Sequence, residues 1–429
     1  MLRIPAFFCL FIFITAAAIA QPTISGKVVN AATNQPIAGT SVFISNTSFG
    51  TVSSRDGSFE LKDIPPGKYD LIISSIGFET NVYSFSTDKL PLRLRIEMNE
   101  KVKELENVTI EPSLEEGWDK WGRVFMENFV GESANAKQCK IKNEKSIRFR
   151  FYKKSNRLVA FCDEPIVLEN KALGYIIRYQ LEDFEINYKK NSTLFAGYPL
   201  FEEIDKGRKG VQRRWQRNRD KAFYGSMMHF MRAVYTKSLA AEGYEVRRMV
   251  RTPNYEKQRV KQIYRAMPKL SSGAKISISS SSGINRIPVP QNDSSFAADS
   301  IEYYERILRQ KDDIDTYGRD LLTADSLIVE QDDALKVMFF ENYLYITYKK
   351  ELEEEGYLLY HHEQRQPTFQ RSYIWLQNQQ AIAIDANGSY YPPQEVFSMA
   401  YWGWGEKIAN LLPLDYKPYS IPESKFEVK

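Results

Sequence analysis

The chain has 429 residues, of which 43% are hydrophobic and 26% are charged. This composition is typical of a globular protein with room for two or three domains. The 58 basic and 54 acidic side chains nearly balance, and the net charge of +4 indicates no particular class of partner. Beyond residue 20, no stretch is long and apolar enough to span a membrane as a helix.

Residues 1–20 are predicted to be a secretory signal peptide. Arg3 precedes an apolar run that begins at Ile4 and ends in an Ala-Ile-Ala cleavage site before Gln21. An uncleaved anchor helix is the alternative, because the run approaches the length that spans a membrane. We expect an exported protein, in the periplasm or on the periplasmic face of the outer membrane. It would have no transmembrane span after cleavage and no access to nucleic acid.

Short segments rich in β-branched and aromatic residues recur between residues 24 and 74, separated by turn signals, as in an all-β sandwich. Asp56-Gly57 supplies the positive φ angles of a tight hairpin, and Pro65-Pro66-Gly67 marks another reversal. In the stretch 92–98, apolar residues alternate with charged ones, which predicts a strand with one buried face. The predicted fold class is multidomain, with an N-terminal all-β sandwich over residues 21–99.

The sandwich residues resemble the carboxypeptidase regulatory-like domain, a small transthyretin-type (Ig-like) β-sandwich common in bacterial envelope proteins. The matching segments are ISGKV (24–28), PIAGTSVFI (36–44), GTVSSRDGSFEL (50–61), IPPGKY (64–69) and SSIGFE (74–79). The resemblance covers residues 22 to about 98. It implies a non-catalytic module that packs on a neighbouring domain or extends the N-terminus of TonB-dependent outer-membrane receptors.

Residues 100–112 are interpreted as a linker, and residues 113–429 as an α+β domain with mainly antiparallel strands. The capping-box spacing of Ser113 and Glu116 predicts a helix that starts at Ser113 and buries an aromatic stripe. From residue 142 to 204 the apolar period of two predicts a meander of short strands. It also places Cys162 opposite a residue near Ile147 rather than opposite Cys139, so a disulfide between the two cysteines is not expected.

The second half of the chain alternates between helical and strand patterns. A Ser- and Gly-rich loop is predicted at 271–300, and one of the later strands at Gly356–His361. The segments GWDKW (117–121), GYPLFEE (197–203), YGSMMHFMR (224–232) and YWGWGEKIANLLPLDY (401–416) resemble an uncharacterised family of bacterial envelope proteins that carry the same N-terminal module. That resemblance implies a shared architecture and no activity.

Eight basic residues lie between Lys206 and Lys221. They could bind an anionic partner such as lipid phosphates, an acidic polysaccharide or the carboxylates of another protein. The alternative is a solvated helical face paired with nearby acidic residues. In the helix predicted next, His229 falls opposite the apolar face and is expected to be exposed. The candidate anion-binding residues are Arg213, Arg214, Arg217 and Arg219.

No reaction can be assigned from the sequence. Zinc carboxypeptidase chemistry needs a His-x-x-Glu pair and a third His, and no histidine here is followed by Glu at that spacing. We predict no catalytic residue, no metal and no cofactor. A glycosidase-like carboxylate pair from distant positions stays open, with charged surface as the alternative. The acidic candidates are Asp163-Glu164, Glu202-Glu203 and Glu353 to Glu355.

The leading hypothesis is an exported, non-enzymatic envelope protein that serves as a binding or assembly module for another envelope component, either a protein or a polysaccharide. The alternative is a carbohydrate-binding or carbohydrate-active protein that uses distant carboxylates and aromatic platforms. An enzyme should have a deep pocket with two carboxylates about 5 to 10 Å apart. An adaptor should instead have an exposed apolar or basic patch.

Overall fold

The computed structural model describes residues 22–101, 113–204, 208–266, 298–332 and 334–419. The predicted signal peptide, most of the predicted linker and the Ser- and Gly-rich stretch up to residue 297 lie outside these residues. N-terminal β-sheets are followed by a mixed α+β region whose sheets are mostly antiparallel, as the sequence predicted.

Two small sheets form the N-terminal sandwich, with strand orders β4-β1-β7 and β3-β2-β5-β6. Gly57 has φ 79°, which confirms the tight turn at Asp56-Gly57. The apolar residues of 92–98 face inward or are half-buried while the charged ones are exposed, again as predicted. The strands are β1 (Ile24–Asn30), β2 (Ser41–Ile44), β3 (Gly50–Val52), β4 (Ser58–Leu61), β5 (Lys68–Ser74), β6 (Asn81–Ser86) and β7 (Leu92–Met98).

A seven-stranded sheet opens the α+β region, in the order β8-β10-β11-β13-β12-β9, with β14 paired to β13. Its strands are β8 (Ser113–Glu116), β9 (Cys139–Ile141), β10 (Ile147–Tyr152), β11 (Arg157–Cys162), β12 (Ile166–Asn170), β13 (Tyr175–Asn187) and β14 (Ser192–Glu203). The prediction of short strands was wrong for β13 and β14, which have 13 and 12 residues. A bulge between Leu181 and Asp183 interrupts the alternation there and made one strand look like two.

The predicted helix start at Ser113 was also wrong. Residues 113–116 are strand β8, because they pair with β10 and Gly117 has an extended backbone. Helix α1 (Trp118–Phe125) begins only after Gly117, and a π-helical turn, Met126–Val130, follows it. The aromatic stripe is core as expected, since Phe125 and Phe129 are fully buried.

Cys162 lies opposite Ile147, which confirms the predicted register. Cys139 and Cys162 are both free thiols. Cys139 is half-buried and Cys162 buried, and this desolvation raises the pKa of each thiol.

The rest of the described chain forms a five-stranded sheet, ordered β16-β15-β19-β20-β23, and a four-stranded sheet, ordered β17-β18-β21-β22. The strands are β15 (Tyr244–Pro253), β16 (Asp313–Tyr317), β17 (Ile328–Gln331), β18 (Leu335–Met338), β19 (Tyr343–Leu352), β20 (Phe369–Leu376), β21 (Ile382–Asp385), β22 (Tyr390–Tyr391) and β23 (Val396–Ala400). The helices are α2 (Lys209–Phe223), α3 (Met227–Tyr235), α4 (Tyr255–Ala266), α5 (Ala298–Arg309), α6 (Glu355–Tyr360) and α7 (Tyr401–Gly405).

Two further predictions fail in this part. His229 is buried rather than exposed, because β15 and β19 cover the far side of α3 and place Tyr244 and Tyr348 against its ring. The segment predicted as strand Gly356–His361 is helix α6. Its buried residues are adjacent rather than alternating, which is a helical and not a strand pattern.

The sandwich contacts the α+β region directly. Asp415 accepts hydrogen bonds from the backbone N–H and the hydroxyl of Ser48, at 2.9 and 2.6 Å. Asn387 donates to the carbonyl oxygen of Pro66 and to the hydroxyl of Tyr69. These polar contacts hold the loops at one end of the sandwich against the second region.

Candidate functional site

A pocket of about 180 Å³ opens where distant segments of the α+β region meet. We call it the carboxylate pocket. It lies between the loop that follows α1, the C-terminal half of α2, the end of β19, strand β20 and helix α7. Its polar and aromatic lining comprises Asn135, Gln138, Asn218, Lys221, Tyr224, Ser226, Glu351, Glu354, Gln370, Tyr401, Trp402, Trp404, Glu406 and Asn410.

The break between α2 and α3 shapes one wall of this pocket. Gly225 has φ 80°, and a side chain there would collide with Gln370 and Tyr348. Ser226 then caps α3 by accepting a hydrogen bond from the backbone N–H of His229. The carboxylate of Glu406 accepts from the backbone N–H of Met227 at 2.9 Å, so it satisfies another free N–H at the start of α3.

Two carboxyl groups of the pocket are strongly desolvated. Burial raises the pKa of Glu406 from 4.5 to about 7, against the opposing effect of the Met227 N–H. Burial also raises the pKa of Glu351 to about 7, although Lys221 and a hydrogen bond from Gln370 oppose the rise. Near pH 7 each group is therefore protonated for part of the time and can then donate a hydrogen bond.

The third carboxylate, Glu354, forms an ion pair with Lys221 at 3.3 Å. Lys221 belongs to the last turn of α2, where a positive charge also suits the helix dipole. This pair balances one negative charge at the pocket.

The pocket wall also holds two buried polar atoms without a protein partner. The indole N–H of Trp404 and the side-chain carbonyl oxygen of Gln370 have no hydrogen-bond partner among the residues that the structure describes. By contrast, the indole N–H of the neighbouring Trp402 donates to the carbonyl of Gly225 at 2.7 Å. Buried polar groups are nearly always paired, so the wall is unusual in holding one donor and one acceptor that no described residue satisfies.

Comparison with known families assigns the N-terminal part of the chain. Residues 24–110 match the family model of the CarboxypepD_reg-like domain. These residues form a CarboxypepD_reg-like domain. The resemblance found in the sequence is thereby confirmed, and the carboxylate pocket lies entirely outside this domain. A comparison with curated proteins found no match.

Solved structures show only weak likeness to the chain. A type II cohesin–X-dockerin complex from Acetivibrio cellulolyticus is 27% identical, over 18% of this chain and 56% of that one, with a TM-score of 0.15. The chain thus spans little more than half of that protein. A proposed membrane-associated protein of unknown function from Bacteroides fragilis is 8% identical over 85% and 94% of the two chains (TM-score 0.16). A proposed carbohydrate-binding protein from Bacteroides uniformis is 8% identical over 42% and 78% (TM-score 0.14). TM-scores this low give no information on what this chain does.

The predicted anion-binding arginines all lie on α2, outside the CarboxypepD_reg-like domain, and they differ in exposure. Arg213, Arg214 and Arg217 are exposed. Arg219 is buried, donates to the carbonyl of Leu173, and forms an ion pair with Glu203 at 2.8 Å. Its guanidinium is thus engaged within the fold, and only the first three arginines face solvent.

The acidic candidates are scattered. Asp163 pairs with Arg148, Glu164 accepts from Ser146 and Asn143, and Glu202 pairs with Arg178. Glu353 is buried in an ion pair with Arg365. Only Glu354 lines the pocket. Sequence reasoning missed Glu351 and Glu406, and the only local signal was an acidic residue among aromatic ones, as in Trp404-Gly405-Glu406.

A second surface feature is a set of aromatic rings on the outer face of the five-stranded sheet. The centroids of contacting rings are 4.8 to 5.5 Å apart, and the guanidinium of Arg251 lies over the ring of Tyr343. The rings are half-buried except Tyr317, which is 43% exposed. We call this set the aromatic face; it comprises Tyr317, Tyr343, Tyr345, Tyr373, Trp375 and Phe397.

On the CarboxypepD_reg-like domain, a wider and more open depression of about 790 Å³ lies over β1, β4 and β7. Lys27, Glu60, Arg93 and Arg95 line it, so its charges are mixed. In the described residues, no three His, Cys, Asp or Glu side chains are grouped to hold a metal ion. None of the described helices has both the length and the apolar character needed to cross a membrane.

Proposed function

We propose that the chain is an exported, non-enzymatic binding protein of the bacterial envelope whose carboxylate pocket holds one sugar residue of an envelope polysaccharide. The observation that carries this proposal is the unpaired Trp404 N–H and Gln370 carbonyl in a wall of aromatic rings, amides and carboxyls. The predicted signal peptide and the CarboxypepD_reg-like domain support a place in the periplasm or at the outer membrane.

The lining suits the chemistry of a sugar. A sugar ring offers hydroxyl groups that both donate and accept hydrogen bonds, together with apolar C–H faces. Amides and protonated carboxyls of the pocket can meet the hydroxyls in both directions. Rings such as Tyr401 and Trp404 can cover the apolar faces. The small volume fits a single residue and not a longer chain.

The electrostatics favour binding over hydrolysis. A hydrolytic carboxylate pair needs environments that push the two pKa values apart, so that one group is acid and the other base. Here burial shifts Glu351 and Glu406 in the same direction. Glu354 is engaged by Lys221. The pocket thus has the groups to hold a sugar without the asymmetry that cleavage requires.

Retention of the tagged full-length protein on immobilised polysaccharides and a glycan array tests this proposal. We expect specific retention that Trp404→Phe weakens, since this change keeps a ring and removes the N–H. Trp375→Phe is the matched control, because the same replacement lies on the aromatic face and should leave retention unchanged. If no glycan is retained, or if both variants lose retention equally, the pocket is not a sugar site.

A second candidate function is assembly with another envelope protein, and the aromatic face favours it. Its Tyr, Trp and Phe residues beside Arg251 match the composition of protein–protein interface cores. Capture of the tagged protein from detergent-solubilised envelopes would then recover a stoichiometric partner. Trp375→Arg should remove this partner while glycan retention persists, whereas recovery of the unmodified protein alone contradicts assembly.

A further inference from the structure

Helical geometry places the exposed arginines of α2 relative to the carboxylate pocket. Asn218 and Lys221 line the pocket, and Arg214 precedes them by four and seven residues. Residues with this spacing lie on one flank of a helix. Arg214 therefore lies about one turn before Asn218, on the flank of α2 that borders the pocket. Arg213 is turned about 100° away from Arg214 around the helix axis.

The charges along this flank are not balanced by their surroundings. Arg214 and Arg217 are exposed and form no ion pair with any residue that the structure describes. Helix α2 has no acidic residue in its first turn, where its dipole would favour one. Lys221, in contrast, is paired with Glu354. The flank thus presents positive charge directly beside a pocket whose other features suit a sugar.

We infer that the sugar residue bound here is an acidic one, with its ring in the carboxylate pocket and its carboxylate at the mouth against Arg214. This inference rests on the proposed function and adds the charge of the ligand to it. A ligand carboxylate placed beside Glu351 or Glu406, which both line the pocket, would be repelled whenever they are ionised, so Arg214 is the more favourable partner. Outside the mouth, a guanidinium can bind a carboxylate through two parallel hydrogen bonds.

Calorimetric titration of the full-length protein with D-glucuronate and D-glucose tests the inference. We expect glucuronate to bind more tightly than glucose. Arg214→Glu should weaken glucuronate binding roughly tenfold or more, the usual size of a charge-assisted hydrogen bond, and leave glucose binding unchanged. Arg213→Glu makes the same charge change on the adjacent residue and should have little effect. Added salt should weaken glucuronate binding only.

The outcomes distinguish the claim that the pocket binds a sugar from the claim that this sugar is acidic. Equal affinity for both sugars, or equal losses in Arg214→Glu and Arg213→Glu, overturns the inference about charge and leaves the sugar site standing. Failure of both sugars to bind contradicts the proposed function itself. Melting curves of the two arginine variants should coincide with that of the unmodified protein, because both changes lie on an exposed helix face.

Discussion

The two regions of the molecule bury different kinds of side chain. The sandwich core is made of apolar residues such as Leu71 and Ile73, and none of the described residues 24–98 buries a charged side chain. The α+β region buries Asp220, His229 and Glu353 within its described part, and it desolvates Glu351 and Glu406 as well. Buried charge costs free energy unless it is paired.

This difference suggests a division of roles. A core without buried charge is sufficient for a scaffold, whereas desolvated carboxyls are commonly retained at functional sites. In the function proposed above, the sandwich is the scaffold and the second region carries the recognition. All six tryptophans lie in the α+β region, so tryptophan fluorescence follows that region alone while circular dichroism follows both.

The largest expected effect of pH concerns stability. Glu406 has a pKa of about 7 when folded and an ordinary value of 4.5, so its contribution to stability falls as pH rises through this window. Glu406→Gln should remove this loss. The variant should gain about 2 to 3 kcal/mol over the unmodified protein between pH 5 and pH 8. Urea unfolding followed by tryptophan fluorescence measures the difference.

His229 has the opposite effect on the pH dependence of stability, so the unmodified protein must be compared with the Glu406→Gln variant. Burial lowers the pKa of His229 from 6.5 to about 4, although its hydrogen bond to Glu242 opposes this, so stability linked to His229 increases as pH rises from 4 to 6.5. The unmodified protein alone therefore shows a partly cancelled pH dependence. A Glu406→Gln variant with the same pH dependence as the unmodified protein would show that Glu406 is not desolvated.

The second expected effect belongs to the sandwich. Leu71 is fully buried, so Leu71→Ala should cost about 2 to 5 kcal/mol through the cavity that it leaves. The loss should be the same at pH 5 and pH 8, since no charged side chain of the described sandwich is buried with it. Circular dichroism during urea unfolding measures it. A strongly pH-dependent loss would contradict the conclusion that the sandwich, unlike the α+β region, buries no charged group.

A smaller effect is expected on ligand binding. Between pH 6 and pH 8 Glu351 and Glu406 become ionised, and Lys221 is the cation that faces Glu351 while the Met227 N–H faces Glu406. The affinity for glucuronate should therefore fall as pH rises, whereas that for glucose should change less. Glu406→Gln should reduce the slope. Calorimetric titration at pH 6 and pH 8 measures these affinities. An unchanged or rising glucuronate affinity would argue against two titrating carboxyls in the pocket.

The smallest expected effect is on the contact between the regions. Asp415→Ala removes two hydrogen bonds to Ser48 and should cost about 1 kcal/mol. We expect the fluorescence and circular dichroism transitions to separate further in this variant, because the sandwich and the α+β region then lose a shared contact. Identical shifts in both signals would mean that the two regions unfold as one unit regardless of this contact.

How far the sequence predicts the structure also differs between the regions. The turn at Asp56-Gly57 and the alternation in 92–98 are local signals, and both are confirmed. In the α+β region, tertiary contacts determine burial and secondary structure. Strands β15 and β19 bury His229, and pairing with β10 makes Ser113–Glu116 a strand. The pocket residues come from segments between 134 and 410, so local patterns pointed to Glu354 at most and not to the pocket as a whole. The arginines of α2 were found because they are close together in the sequence, but the burial of Arg219 was not predicted.

A crystal structure of the protein grown with D-glucuronate tests the central claim most directly. We expect the sugar ring in the carboxylate pocket, with one hydroxyl accepting from the indole N–H of Trp404 and the carboxylate beside Arg214. A sugar bound on the aromatic face instead, or an empty pocket at a concentration that saturates binding in solution, would contradict the assignment of this pocket as the recognition site.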